Sequence, residues 1–110
     1  MNLQLLWNNL GSFAKRVGRS MARTPLLLYY VLKDGKTTTK DKTIIYAALA
    51  YLILPVDLIP ARTYSILGWA DEILSIEVVY DRMRKYITPD MLRQADAQLD
   101  KWIPASPATT

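Results

Sequence analysis

Hydrophobic side chains recur at intervals of three and four along most of the chain, which places them on one face of an α-helix. In the first 23 residues this face comprises Leu3, Leu6, Trp7, Leu10, Phe13, Ala14, Val17 and Met21. The pattern predicts an amphipathic N-terminal helix over residues 1–23, although Gly11 and Gly18 each weaken it by about 1 kcal/mol relative to alanine.

Two further helix starts carry the same local signal, a threonine followed by a proline. A hydroxyl side chain can cap a helix, and proline fits the first turn because its missing N–H would have no partner there. The pattern predicts a second helix from Thr24 to about Lys33 and a last helix from Thr88 to about Trp102. One side of the last helix is expected to carry Leu92, Ala95, Leu99, Trp102 and Ile103.

The third predicted helix is apolar on every side. Thr39 is expected to cap it, Asp41 lies in its first turn, where an acid is favourable, and residues 44–54 are all apolar or tyrosine. A helix of this kind is buried on most sides, so we expect it at the centre of the bundle. Pro55 disfavours helical geometry at Leu54 and therefore predicts that the helix ends there.

The remaining segments complete an all-α prediction. Residues 55–67 are expected to form a loop, followed by a fourth helix from Gly68 or Trp69 to Tyr86. Its inner face is expected to hold Ile73, Ile76, Tyr80, Met83 and Ile87, with Leu74 and Val78 alongside. The predicted fold is a small irregular bundle of four main helices plus the N-terminal amphipathic helix.

The chain divides into three parts in this interpretation. A length of 110 residues favours a single folded domain. We predict a basic amphipathic helix at 1–23, a helical domain at 24–103 and a loose tail at 104–110. The tail reads Pro-Ala-Ser-Pro-Ala-Thr-Thr and can bury almost nothing.

The composition removes several kinds of chemistry. The chain has no cysteine and no histidine, which excludes a thiolate nucleophile, a Ser-His-acid triad and the commonest transition-metal ligand. The sequence also lacks a glycine-rich phosphate loop. We therefore predict no catalytic residue and no cofactor, and we identify no small-molecule substrate.

The net charge of +4 is concentrated at one end of the chain. Residues 1–23 contain four basic residues and no acid, whereas residues 70–110 contain five basic and seven acidic residues. Basic residues behind an apolar face suit a helix that lies in a membrane interface. The candidate interface residues are Trp7, Leu10, Phe13, Lys15, Arg16, Arg19 and Arg23. A surface helix whose charges pair with the acidic half is the plainer alternative.

Three carboxylates stand in apolar surroundings in the middle of the chain. Asp57 lies in Leu-Pro-Val-Asp-Leu-Ile-Pro, and Asp71 and Glu72 end Gly-Trp-Ala-Asp-Glu. Such groups need a partner. They could hold a hard cation such as Mg²⁺ or Ca²⁺, or they could cap helix ends, which is favoured because no metal-loop spacing is present. The motif residues are Pro55, Asp57, Pro60, Gly68, Asp71 and Glu72.

This segment resembles the bacterial YkvA-like domain family, a domain of unknown function. In that family an apolar helix is followed by Pro-x-Asp-x-Ile-Pro, a short loop, a glycine and an Asp-Asp pair. The motif residues above match this pattern together with Ile59, whereas Ala61 stands where the family usually has an acid and Glu72 replaces the second aspartate. The resemblance covers about residues 24–103. It supplies a fold and implies no established activity.

A membrane-spanning helix is disfavoured by length. The apolar run of residues 44–56 would be about 20 Å long as a helix, against a hydrocarbon core of about 30 Å. A secretory signal is not expected either, because the positive charges near the start follow the apolar run instead of preceding it.

The leading functional hypothesis is a non-enzymatic adaptor or interaction module that is cytoplasmic and works at or near the inner membrane face. Its expected partner is a protein or an anionic membrane surface. Nucleic acid is disfavoured because no stacking platform accompanies the arginines. The alternatives are a metal-assisted enzyme or cation-binding protein using the three carboxylates, and a small integral membrane protein.

Overall fold

The computed structural model describes residues 2–55 and 75–104. These residues form five α-helices and one 3₁₀ turn, without any strand among them, so the all-α prediction is confirmed. The helices are α1 (Leu3–Val17), α2 (Arg19–Lys33), α3 (Thr39–Ile53), α4 (Ile76–Met83) and α5 (Pro89–Trp102), and the 3₁₀ turn (Arg84–Tyr86) follows α4.

The boundary between α1 and α2 differs from the prediction. The first helix does not continue to residue 23, and the second does not start at Thr24; the break lies at Gly18, which has φ +93° and ψ 169°. Side chains rarely tolerate this conformation, so a glycine is the natural place for the chain to turn. Pro25 consequently lies inside α2 and is not part of its start.

Local capping explains three of the helix starts. The Asn2 side chain accepts a hydrogen bond from the Leu5 N–H at 2.9 Å and starts α1. The Thr88 hydroxyl accepts one from the Met91 N–H at 3.2 Å, which confirms the predicted start of α5. For α3 the cap is Thr38, one residue before the predicted Thr39. Each bond satisfies a backbone donor that has no partner within its helix.

Helix α3 ends where proline predicts. Leu54 has φ −87° and ψ 142°, an extended conformation that the following Pro55 imposes by steric exclusion of the helical one. The last turn of α5 likewise ends at Trp102 as predicted.

The predicted continuous helix from Gly68 or Trp69 to Tyr86 is wrong, because Ser75 has φ −61° and ψ 129°, an extended conformation that no helix interior adopts. Helix α4 therefore begins at Ile76, and the 3₁₀ turn replaces its expected last residues.

Helix α2, and not α3, is the central helix of the described bundle. It packs against each of the other four helices, whereas α3 packs mainly against α1, α2 and α4. Residues Leu26–Leu28 are at most 1% exposed, whereas Tyr51 of α3 is 59% exposed. Among residues 2–55 and 75–104, the expectation that α3 occupies the centre is therefore not met. The apolar run of α2 is shorter, but neighbours surround it on more sides.

One continuous core joins all five helices. The largest fully buried side chains are Leu6, Leu10, Leu26, Leu27, Leu28, Val31, Leu32, Ile45, Leu49, Val79, Met83 and Leu99. The predicted inner faces of α1 and α5 largely hold. Two predicted positions fail, because Met21 is 66% exposed and Val79, not Val78, is the buried valine of α4.

None of the helices in the two described ranges combines the length and the hydropathy that crossing a membrane would require. Residues 56–74 and 105–110, which include most of the predicted loop and of the predicted tail, lie outside those ranges.

Candidate functional site

The motif whose carboxylates are predicted to cap helix ends, or alternatively to hold a cation, lies almost wholly outside the described part of the chain. Of its six residues, Pro55 alone is described, and it is exposed just after the end of α3. Asp57, Pro60, Gly68, Asp71 and Glu72 lie outside the described residues. Within residues 2–55 and 75–104, no three carboxylates gather in a way that could hold a metal ion.

The apolar residues predicted to face a membrane are part of the folded core. Leu10 is fully buried and Phe13 is 7% exposed. The Trp7 ring packs between two aromatic neighbours, with its centroid 4.9 Å from that of Tyr29 and 4.8 Å from that of Trp102. The apolar face of α1 therefore covers the bundle, because protein neighbours bury it from water.

Trp102 reaches this aromatic cluster across a glycine. A Cβ atom at position 11 would lie 3.3 Å from the Trp102 ring, so the absence of a side chain at Gly11 lets α5 approach α1 closely. The contact fixes the end of α5 beside α1. It also places the last turn of α5 near the junction of α1 and α2.

The four N-terminal basic residues lie on both sides of that junction. Lys15 and Arg16 are exposed in the last turn of α1, and Arg19 and Arg23 lie in the first two turns of α2. We call these four residues, Lys15, Arg16, Arg19 and Arg23, the basic corner.

Two residues of the basic corner form ion pairs with α5. The Arg19 Nη1 atom lies 2.6 Å from Asp100 Oδ1, and the Arg23 Nε atom lies 3.2 Å from Asp96 Oδ1. The Lys15 and Arg16 side chains have no carboxylate partner in the described ranges. The plainer interpretation of the charge asymmetry, pairing between the two halves of the chain, therefore holds for half of the basic corner.

A buried polar contact that the sequence did not indicate joins α3 to the turn after α4. Asp41 is 5% exposed, and its Oδ2 atom accepts a hydrogen bond from the Tyr86 hydroxyl at 2.5 Å. The Arg82 Nε atom lies 3.6 Å from the other carboxylate oxygen. The sequence showed Asp41 only as a favourable acid in a first helical turn, and no local pattern relates it to a tyrosine 45 residues away.

The surroundings of Asp41 favour its charged form. The Tyr86 hydrogen bond holds the pKa of the Asp41 carboxyl below its ordinary value of 3.8, and the side chains of Thr38, Lys85 and Arg82 act in the same direction against the effect of burial. The carboxylate is therefore ionised at neutral pH with its partners in place. These contacts connect α3 to α4 and to the 3₁₀ turn that follows α4.

A cleft lined by polar side chains lies between the end of α2 and the start of α5. Its lining consists of Tyr30, Lys33, Asp34, Thr88, Asp90, Met91 and Gln94. Several of these groups already have partners: the Thr88 hydroxyl caps α5, Asp90 pairs with Arg93, and Lys33 lies over the Tyr29 ring. The cleft shows no arrangement of nucleophile and base.

Comparison with protein families gives a match in the middle of the chain. Residues 41–76 match the model of a family described as "Protein of unknown function (DUF1232)". The matched segment begins at Asp41, the third residue of α3, and takes in the rest of that helix and the whole motif from Pro55 to Glu72. The predicted resemblance to a domain family of unknown function is confirmed for this segment. No curated protein and no solved structure matches the chain.

Proposed function

We propose that this chain is a non-enzymatic interaction module that binds anionic membrane surfaces through the basic corner. The observation that carries the proposal is the exposure of Lys15 and Arg16 at the junction of α1 and α2. Residues 1–23 contain no acid at all. Clustered cations near an anionic leaflet each contribute about 1 kcal/mol to binding.

The packing of α1 decides how such binding would work. Trp7, Leu10 and Phe13 contact protein, so the helix does not offer a broad apolar face to lipid. The proposed binding therefore depends on attraction between the cations of the basic corner and lipid phosphates. Binding of this kind is peripheral, reversible and strongly weakened by salt.

The alternative of metal-assisted chemistry depends on Asp57, Asp71 and Glu72. These residues lie outside the described ranges, and no contact of the described residues favours that function over membrane binding. We therefore propose a single function.

Sedimentation with lipid vesicles tests the proposal. The chain is expected to bind vesicles that contain phosphatidylserine in 50 mM salt, to release them in 300 mM salt, and to ignore vesicles of phosphatidylcholine alone. The double variant Lys15→Glu/Arg16→Glu is expected to lose at least about tenfold in affinity, because two attractive charges become repulsive.

A matched variant at the other end of α2 serves as the control. Lys36 and Lys40 are also exposed lysines, but they belong to the α2–α3 connection and the first turn of α3. Lys36→Glu/Lys40→Glu makes the same change in net charge and is expected to keep most of the binding. Equal losses in the two variants, or equal binding of wild type to neutral vesicles, would overturn the proposal. Failure to bind either kind of vesicle would instead favour a protein partner.

A further inference from the structure

We infer that the basic corner is restrained by its own chain, since two carboxylates of α5 occupy half of its cations and compete with a membrane for them. The inference rests on the proposed function. The residues that carry it are Arg19 and Arg23 on α2 and Asp96 and Asp100 on α5.

These four residues form a two-rung ladder between antiparallel helices. The members of each set are four positions apart, so each set lies on one face of its helix. Arg19 pairs with Asp100 at 2.6 Å and Arg23 pairs with Asp96 at 3.2 Å. The Arg19 guanidinium also approaches the Asp96 backbone oxygen at 3.4 Å. Both arginine side chains are thereby directed towards α5.

The ladder is exposed enough to open. The Arg19 and Asp100 side chains are 43% and 69% exposed, and those of Arg23 and Asp96 are 40% and 51% exposed. Ion pairs in contact with water are weak, because solvent and salt screen them. A lipid phosphate can accept two parallel hydrogen bonds from one guanidinium, which makes it an effective competitor for each arginine.

Two other exposed pairs in the described residues differ in kind. Asp81 pairs with Arg84 and Asp90 pairs with Arg93, each within three residues along the chain. These local pairs lie at the end of the bundle that holds the 3₁₀ turn and the start of α5. Along α5, position 90 is separated from position 96 by about 9 Å and from position 100 by about 15 Å, compared with a Debye length of about 10 Å at 0.1 M salt.

The two sets of aspartates therefore provide a matched experiment. Asp96→Asn/Asp100→Asn removes the restraint while keeping the size of each side chain. We expect it to strengthen binding to phosphatidylserine vesicles at least about fivefold, the gain that one additional effective cation brings. Asp81→Asn/Asp90→Asn raises the net charge by the same amount and is expected to change the affinity less than twofold.

The outcomes separate this inference from the proposed function. Equal gains in vesicle affinity for the two double variants would mean that net charge, and not release of Arg19 and Arg23, causes the effect, and would overturn this inference. The proposed membrane function would still stand if the wild type binds anionic vesicles. If neither the wild type nor either variant binds anionic vesicles, the proposed function itself is overturned. Circular dichroism and thermal unfolding of each variant check that the helices persist. We expect that they do, because all four aspartate side chains are in contact with water.

Discussion

Asp41 carries a charge in a nearly water-free position at the start of α3. An unpaired carboxylate there would be strongly unfavourable, but the Tyr86 hydroxyl and the Arg82 guanidinium compensate for the lost hydration. The residue thereby connects α3 to the turn that follows α4. Its importance is structural, and it follows from partners that lie far away in the chain.

At this scale we predict that Tyr86→Phe destabilises the fold by about 1.5–3 kcal/mol at pH 7, the range for a hydrogen bond to a charged group. The folded-state pKa of Asp41 lies below its unfolded value of 3.8, so its stabilisation is complete well above pH 3.8 and is lost as the pH falls through the folded pKa. The cost of Tyr86→Phe is therefore expected to shrink in acid. Urea unfolding between pH 7 and pH 3 measures both effects.

The control for this prediction is Tyr51→Phe, which removes the same atom from a tyrosine of α3 that is 59% exposed. Its cost is expected to stay within about 0.5 kcal/mol at every pH. A cost for Tyr86→Phe as small as that of the control would mean that the short contact with Asp41 does not stabilise the fold.

At the scale of elements, Gly18 separates two helices of equal length. The apolar spacing of the sequence runs through Gly18 without interruption, so the end of α1 follows from the backbone geometry of this residue. With φ +93°, the chain reverses here and brings Arg19 and Arg23 towards α5. The position of the break thus determines both the packing of α1 and the composition of the basic corner.

We predict that Gly18→Ala destabilises the fold by about 1–3 kcal/mol, because an L side chain is strained at this φ and ψ even though nothing lies within 4 Å of its Cβ. Gly35→Ala is the matched control. Its Cβ also meets nothing within 4 Å, but the residue has no positive φ, so a change of less than about 1 kcal/mol is expected. Thermal unfolding followed by circular dichroism compares the two; similar melting temperatures would contradict the assigned role of Gly18.

At the scale of the whole molecule, α2 holds the described bundle together. Every other helix of residues 2–55 and 75–104 packs against it, so its apolar side chains belong to several interfaces at once. Helices α1 and α5 also meet each other through Trp7, Gly11 and Trp102. Removal of a buried side chain from α2 is therefore expected to destabilise several helix interfaces at once.

We predict that Leu28→Ala lowers the free energy of unfolding by about 2–5 kcal/mol, since it deletes a fully buried side chain and leaves a cavity. Met21→Ala on the same helix is the control, and its cost is expected to remain below about 0.5 kcal/mol because the side chain is 66% exposed. Denaturant unfolding with intrinsic tryptophan fluorescence measures both. A small loss for Leu28→Ala would show that α2 is not the centre of the core.

The sequence by itself determined the features that depend on neighbours a few residues apart. The helical class, the cap at Thr88, the end of α3 before Pro55 and the inner residues of α1 all arise from interactions over one or two helical turns. Such interactions are visible as periodicity and as capping residues. The resemblance of the segment containing residues 41–76 to a family of unknown function was visible for the same reason, because its motif is local.

Only the tertiary structure decided which helix lies at the centre, which glycine divides α1 from α2, and which charges meet. Asp41 contacts a residue 45 positions away, and Arg19 contacts one 81 positions away. These pairings depend on how helices turn back and which faces they present to one another. Helical periodicity specifies that a face is apolar or charged, but the packing of the folded chain selects its partner.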